Sequence, residues 1–161
     1  MEKQEIKSIE NDKNSLTSKL LVVIRISGMV KIREDVVETL DRLKLRRKYS
    51  CILVNKNKEN IMGMIEKVKY YIAYGEIDKK ILEKLISERA ENIKGRKIPV
   101  KIKIEEVIDG LMKGKKLNDF GLKEFFRLHP PRKGIKSKLQ YPKGVLGNNK
   151  KDINKLVERM L

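Results

Sequence analysis

The sequence holds one cysteine, one histidine and no tryptophan, and only 5% of its residues are aromatic. A lone Cys51 cannot form an internal disulfide, which fits a reducing compartment. One Cys and one His form no cluster able to supply the about four ligands of a zinc site. The lack of Trp argues against a helix lying on an anionic membrane through a bulky apolar side. The apolar run Leu20 to Ile24 is far shorter than the roughly 20 residues a membrane-spanning helix needs. Residues Met1 to Lys19 are polar and carry both charge signs, so no secretory signal is read there. These absences predict a soluble cytoplasmic protein with no metal site; no cofactor and no small-molecule substrate are expected either.

What the sequence has in excess is positive charge. Lys and Arg number 39 against 22 Asp and Glu, giving +17 over 161 residues. Such an imbalance raises self-repulsion in the folded state, and a polyanion partner relieves it; nucleic acid is the commonest such partner. The cations are spread over most of the chain, which suits wrapping by a folded polyanion better than contact with a flat membrane. The length allows one compact domain with appendages.

Residues 1–19 hold few large apolar groups and read as a flexible polar arm. Leu20 to Ile26 is almost continuously apolar and reads as a buried strand ended by Ser27-Gly28. Val36, Leu40 and Leu43 then recur at helical spacing, with Glu34, Asp35, Glu38 and Asp41 on the wet side. Tyr49 to Val54 is a second strand, and Ile61, Met64, Ile65 and Val68 mark a second helix. Tyr70 to Tyr74 is a third strand, which Gly75 closes. The order β-α-β-α-β over residues 20–75 predicts a two-layer α+β core, three strands with both helices on one sheet face. Beyond it, Asp78 can cap a helix containing Ile81, Leu82, Leu85 and Ile86. Residues 97–104 alternate Lys with apolar groups and suggest a strand, which Pro99 demotes to an edge or lead-in. Ile104 to Met112 reads as a helix. Residues 127–149 are rich in Pro, Gly and cations, lack periodicity, and read as an extended basic loop. Asp152 to Met160 reads as a closing helix with Ile153, Leu156 and Val157 inward. No internal repeat is present.

Four cations in five positions, Lys44, Arg46, Arg47 and Lys48, follow the first helix. Compensation of the helix dipole, worth about 0.3–1 kcal/mol per charge, explains one or two of them. The rest favour phosphate contact, where arginine chelates and lysine supplies a point charge. Asn55, Lys56, Asn57 and Lys58 read either as a plain turn or as a helix N-terminus offering N–H groups to a phosphate. Arg33 and Lys67 join these as candidate RNA contacts. So do Arg127, His129, Arg132, Lys133, Lys136, Lys138 and Lys143 from the basic loop. Gly63, inside a helix, implies close approach either by the sheet or by RNA. Tyr70, Tyr71 and Tyr74 are ordinary strand residues or base-stacking platforms. His129 has no visible partner for catalysis, and hydrogen bonding to RNA or to the protein backbone is the simpler role. Cys51 is most simply a small buried hydrophobe.

Three stretches are distinctive together. They are Leu43-Lys-Leu-Arg-Arg-Lys48, Ile61-Met-Gly-Met-Ile-Glu-Lys-Val-Lys-Tyr-Tyr-Ile-Ala-Tyr-Gly75, and Phe126-Arg-Leu-His-Pro-Pro-Arg-Lys-Gly134 with Tyr141-Pro-Lys-Gly-Val-Leu-Gly147. The chain resembles the universal large-subunit ribosomal protein thirty family, whose eukaryotic relative is called protein seven. The first two stretches resemble its shared core and the third its archaeal extension; without the long basic arm of the eukaryotic form, the chain looks archaeal. The resemblance covers residues 20–161 and is weakest over 92–118. It divides the chain into the arm 1–19, an α/β core over 20–75 and an extension over 76–161 with helices and the basic loop. It implies an antiparallel three-stranded sheet. It also implies packing on large-subunit ribosomal RNA near the 5S ribosomal RNA, beside neighbouring large-subunit proteins, without catalysis or cofactor.

Two rivals remain at the level of sequence. An RNA-modifying or RNA-cleaving enzyme needs a nucleophile–base pair, a metal or a cofactor loop. The glycines of Gly144 to Gly147 fit neither a dinucleotide nor a nucleotide-triphosphate loop. A free-standing RNA chaperone or regulatory RNA-binding module fits the composition, but the three stretches argue against it.

Overall fold

A computed structural model describes residues 20–93 and 103–161. The strands are β1 (Leu20–Arg25), β2 (Ser50–Asn55), β3 (Ile72–Glu76), β4 (Phe125–Arg127) and β5 (Gly147–Asn148). The helices are α1 (Glu34–Arg42), α2 (Glu59–Val68), α3 (Lys79–Arg89), α4 (Ile104–Met112) and α5 (Ile153–Met160), with short 3-10 turns at Leu117–Phe120 and Lys150–Asp152. The expected strand over residues 97–104 lies largely outside the described residues; Lys103 precedes α4 and Ile104 begins it.

The strands form one sheet in the order β4-β2-β1-β3-β5. β1 is central and antiparallel to both neighbours, from Leu20↔Asn55 to Ile24↔Cys51 on one side and from Leu21↔Glu76 to Arg25↔Ile72 on the other. β4 pairs antiparallel with β2, and β5 pairs parallel with β3. The sheet is therefore mixed and five-stranded, not the three-stranded antiparallel sheet expected. β4 and β5 have three and two residues. Neither is long enough to show an alternating pattern, and both join by backbone pairing, which side-chain periodicity does not report.

All six residues of β1 are buried. Successive strand side chains point to opposite faces, so both faces must be covered. Val22 and Ile24 pack with Leu82 and Leu85 of α3, Ile108 of α4, and Ile153 and Val157 of α5. Val23 packs on the other side with Val36 and Leu40 of α1 and Ile65 and Val68 of α2. The two core helices α1 and α2 thus lie together on one sheet face, as expected for residues 20–75, while α3, α4 and α5 from beyond residue 75 cover the other. Each fully buried aliphatic side chain contributes roughly 1.5–3 kcal/mol.

Local chemistry sets the element ends. Glu34 and Asp35 open α1 beside its positive dipole end, and Arg42 closes it with an i,i+4 bond to Glu38 at 2.6 Å. Asp78 stands at the start of α3, but its side chain makes no capping bond; its N–H instead donates to Asn154 Oδ1 at 3.0 Å. Gly75 does not close β3 but lies within it. A Cβ there would strike the Lys150 carbonyl and Ile153, so glycine is what lets the start of α5 sit against the strand.

Candidate nucleic-acid interface

The strand registers bring several distant cations to one end of the sheet. Arg25 ends β1, Ile72 begins β3 opposite it, and Ser50 begins β2 opposite Arg127 of β4. The loop with Arg33, the turn with Arg46 to Lys48, and the chain after Arg127 all emerge there. Asn55 to Lys58 lie at the opposite end, beyond the last residue of β2. Strands of this length separate the two ends by roughly 17–20 Å.

The basic cluster after α1 does not act as one unit. Lys44 adopts a left-handed backbone with φ 59° and pairs with Glu124, a residue the sequence reading did not single out. Arg46 lies 3.7 Å from Asp41 and stays largely exposed. Arg47 and Lys48 have no carboxylate within 4.0 Å among the described residues, and the Lys48 ammonium sits 4.8 Å from the Tyr49 ring centroid. Beneath the turn lies Arg25, also missed by the sequence reading, whose guanidinium donates to the carbonyls of Leu45 and Arg46 at 2.7 and 2.9 Å. It is fully buried at the end of an otherwise apolar run, and burial pulls its pKa down while Asp41 opposes the shift.

At the far end Asn55 Oδ1 accepts from the Asn57 N–H at 3.1 Å, the geometry of a self-contained turn. Lys56 pairs with Glu76 at 3.3 Å, while Lys58 stays exposed at the start of α2. Between the ends, a groove of about 300 Å³ carries Arg42, Lys44, Lys58, Lys115 and Lys116 with the carboxylate of Glu124. On the α1–α2 side, Asp35 takes both Arg33 at 3.2 Å and Lys67 at 3.8 Å.

Residues 127–149 are irregular but not loose. The N–H of Leu128 donates to Tyr49, that of His129 to Met160 and that of Asn149 to Tyr74, each a backbone carbonyl. Gln140 reaches the Lys69 carbonyl at 3.4 Å. The segment therefore runs from edge strand β4 to edge strand β5 across the end that holds the basic turn. Arg127, Arg132, Lys133, Lys136, Lys138 and Lys143 are exposed along it, with no carboxylate within 4.0 Å among the described residues. The lack of periodicity came from backbone anchoring, not from an absence of packing.

The remaining candidates separate clearly. Tyr70 precedes β3 and is 60% exposed, with the Lys69 ammonium 5.7 Å from its ring centroid. Tyr71 is half-buried, and Tyr74 is buried with its hydroxyl 3.3 Å from Glu66. Burial, then the Glu66 charge and hydrogen bond, push the Tyr74 pKa up. Of these three tyrosines Tyr70 is the most exposed. A Cβ on Gly63 would meet nothing within 4 Å, so the sheet does not require this glycine. His129 is exposed, and Cys51 is fully buried in mid-sheet.

A basic sheet end with surface cations, borne on a doubly covered α+β scaffold, defines a basic α+β protein with a face suited to a polyanion. The family model described as "Ribosomal protein L30p/L7e" matches residues 21–72. Large ribosomal subunit protein uL30 of Archaeoglobus fulgidus is 39% identical over 152 residues, covering 88% of this chain and 99% of that protein. The uL30 of Hyperthermus butylicus is 38% identical, covering 89% of this chain and 91% of that protein. That of Nanoarchaeum equitans is 36% identical, covering 88% and 99%. The chain belongs to the uL30 family, a non-enzymatic family of ribosomal proteins.

Proposed function

We propose that the protein is a structural constituent of the large ribosomal subunit in the cytoplasm, where it binds and stabilises large-subunit ribosomal RNA beside neighbouring ribosomal proteins. The carrying observation is the convergence of Arg46, Arg47 and Lys48 with the anchored segment 127–146 at one sheet end. Neutralising several phosphates there releases counterions and favours binding. Arg33, Lys44 and Lys56 face carboxylates closely and contribute less, whereas Arg46 and Lys67 keep only looser contacts with an acid, at 3.7 and 3.8 Å; Asn55, Asn57 and Lys58 form a second, smaller contact at the far end.

In this reading residues 20–75 are the RNA-binding core and residues 76–161 an extension that widens its sheet and covers its second face. Residues 1–19 are an appended polar arm. The RNA neighbourhood is that of the 5S ribosomal RNA, tested by site-directed cross-linking from Lys133 and Lys143 followed by mapping of the RNA adducts. Function is tested by sucrose-gradient sedimentation of the tagged protein from cells. Near-unit stoichiometry with large subunits is expected. A free or substoichiometric pool would favour an RNA chaperone or regulatory RNA-binding module.

A further inference from the structure

Arg25 is the one fully buried charged side chain among the described residues. Its hydrogen-bond partners are four backbone carbonyls and no carboxylate. Nε donates to Ser27 at 3.0 Å and Nη2 to Gly28 at 2.9 Å, in the loop after β1. Nη1 donates to both Leu45 and Arg46, in the turn after α1. An ionised group inside a protein is costly unless its donors are satisfied, and the fork of a guanidinium suits several fixed acceptors better than an ammonium does.

The backbone of the same residue holds the other side of that turn. The Arg25 carbonyl accepts from the Tyr49 N–H at 2.7 Å, while the Leu45 N–H is taken by Leu40 at 2.8 Å. Residues 45–49 are thus fastened at both ends, with two carbonyls drawn inward. The N–H groups of Arg46, Arg47 and Lys48 meet no acceptor among the described residues. Three consecutive N–H groups without an acceptor thus lie beside two exposed arginines, and successive free N–H groups of a turn can together hold an anion.

We propose that Arg25 is a positioning residue for RNA binding. It shapes residues 45–49 into a turn whose N–H groups at Arg46, Arg47 and Lys48, with the Arg46 and Arg47 guanidiniums, take a phosphodiester group of the RNA. This rests on the reading of the basic turn as an RNA contact. The loop bearing exposed Met29 and Val30 is held to the same turn through Ser27 and Gly28, so both loops approach the RNA as one surface.

The test is a mutant cycle of the full chain on an archaeal large-subunit ribosomal RNA transcript, read by filter binding. Arg25→Lys keeps the charge but cannot span the four carbonyls; affinity is expected to fall about tenfold or more, as for lost bonds to a charged group. Arg46→Ala/Arg47→Ala is expected to weaken binding by a similar factor. The combined variant should lose clearly less than the product of the two, because Arg25 acts through that turn; purely structural damage would give the product within about twofold. Arg25→Lys binding like wild type, or multiplying losses, would overturn the inference and leave the basic turn as an RNA contact. Arg46→Ala/Arg47→Ala with unchanged affinity and salt dependence would overturn both. Nitrogen-15 relaxation of the free wild-type protein decides the matter even if Arg25→Lys does not fold. Order parameters near about 0.85 at residues 46–48 are expected, and values below about 0.6 would overturn positioning.

Discussion

Arg159 of α5 donates from Nε and Nη2 to the carbonyl of Arg132, at 3.0 and 2.7 Å, so two cations are joined through backbone and not through an acid. Nη2 also reaches the Gly134 carbonyl at 2.5 Å, and the Arg132 N–H returns a bond to the Arg159 carbonyl at 2.9 Å. The backbone at Arg132 is thus held while the residue itself stays exposed.

This arrangement predicts protection before RNA arrives. In hydrogen exchange on the free protein, the amides of His129, Arg132, Val145, Leu146 and Asn149 should exchange slowly, each having a backbone acceptor. Arg159→Ala should speed exchange at Arg132 by about tenfold, since a charge-assisted anchor is lost. Exchange at intrinsic rates in the wild type would show a loose loop that orders only on RNA.

Salt dependence measures the basic turn. Each phosphate contact adds about −0.9 to the log–log slope on a duplex and less on other RNA, so Arg46→Ala/Arg47→Ala should flatten it by about one to two units. Lys56→Ala should change it less, because Lys56 already pairs with Glu76. Equal slopes for Arg46→Ala/Arg47→Ala and wild type would remove the turn from the interface.

Two glycines should respond with opposite sign. Gly75→Ala forces a methyl into the Lys150 carbonyl and Ile153, and overpacking of this kind costs about 1–3 kcal/mol. Gly63→Ala meets open space in α2, where replacing glycine stabilises by about 0.8–1 kcal/mol. Urea titration of both variants checks the signs. If Gly63→Ala is stabilised yet binds RNA less well, the open space is where RNA backbone comes close.

The thiol of Cys51 is a probe of the core. Burial drives its pKa far above the ordinary cysteine range, so little thiolate exists at neutral pH. Because the folded-state pKa is raised, thiol ionisation costs the fold nothing below the unfolded pKa. As pH rises through and above that value, the unfolded chain ionises first and stability falls. Ellman's reagent should therefore label native Cys51 only at the opening rate and label urea-unfolded protein at once. Rapid native labelling would contradict the burial.

The long periodic segments were legible in sequence: Val36, Leu40, Ile65, Val68, Leu82, Leu85 and Val157 all face the core as their spacing required. The continuous apolar run of β1 also carried the sign of burial on both faces, although the two-layer expectation used one. Hidden were the features made by backbone partners. The two short edge strands, the anchoring of residues 127–149 and the four carbonyls around Arg25 depend on groups every residue shares. Lys44 and Glu124 are 80 positions apart, and no local pattern links them. Arg25 was detectable only as a charge ending an apolar strand, a violation of pattern that signals either an edge or a specific buried role.

The C-terminal helix also bears on how the chain is made. During synthesis the residues of β1, α1, β2, α2 and β3 leave the translating ribosome long before Ile153 does. Until α5 arrives, its share of the cover over Val22, Ile24 and Gly75 is missing, so a nascent intermediate carries a partly bare apolar sheet face. With 39 cations on the same chain, that intermediate is both sticky and strongly attracted to any nearby RNA. The position of α5 in the chain thus sets the moment at which that sheet face can close.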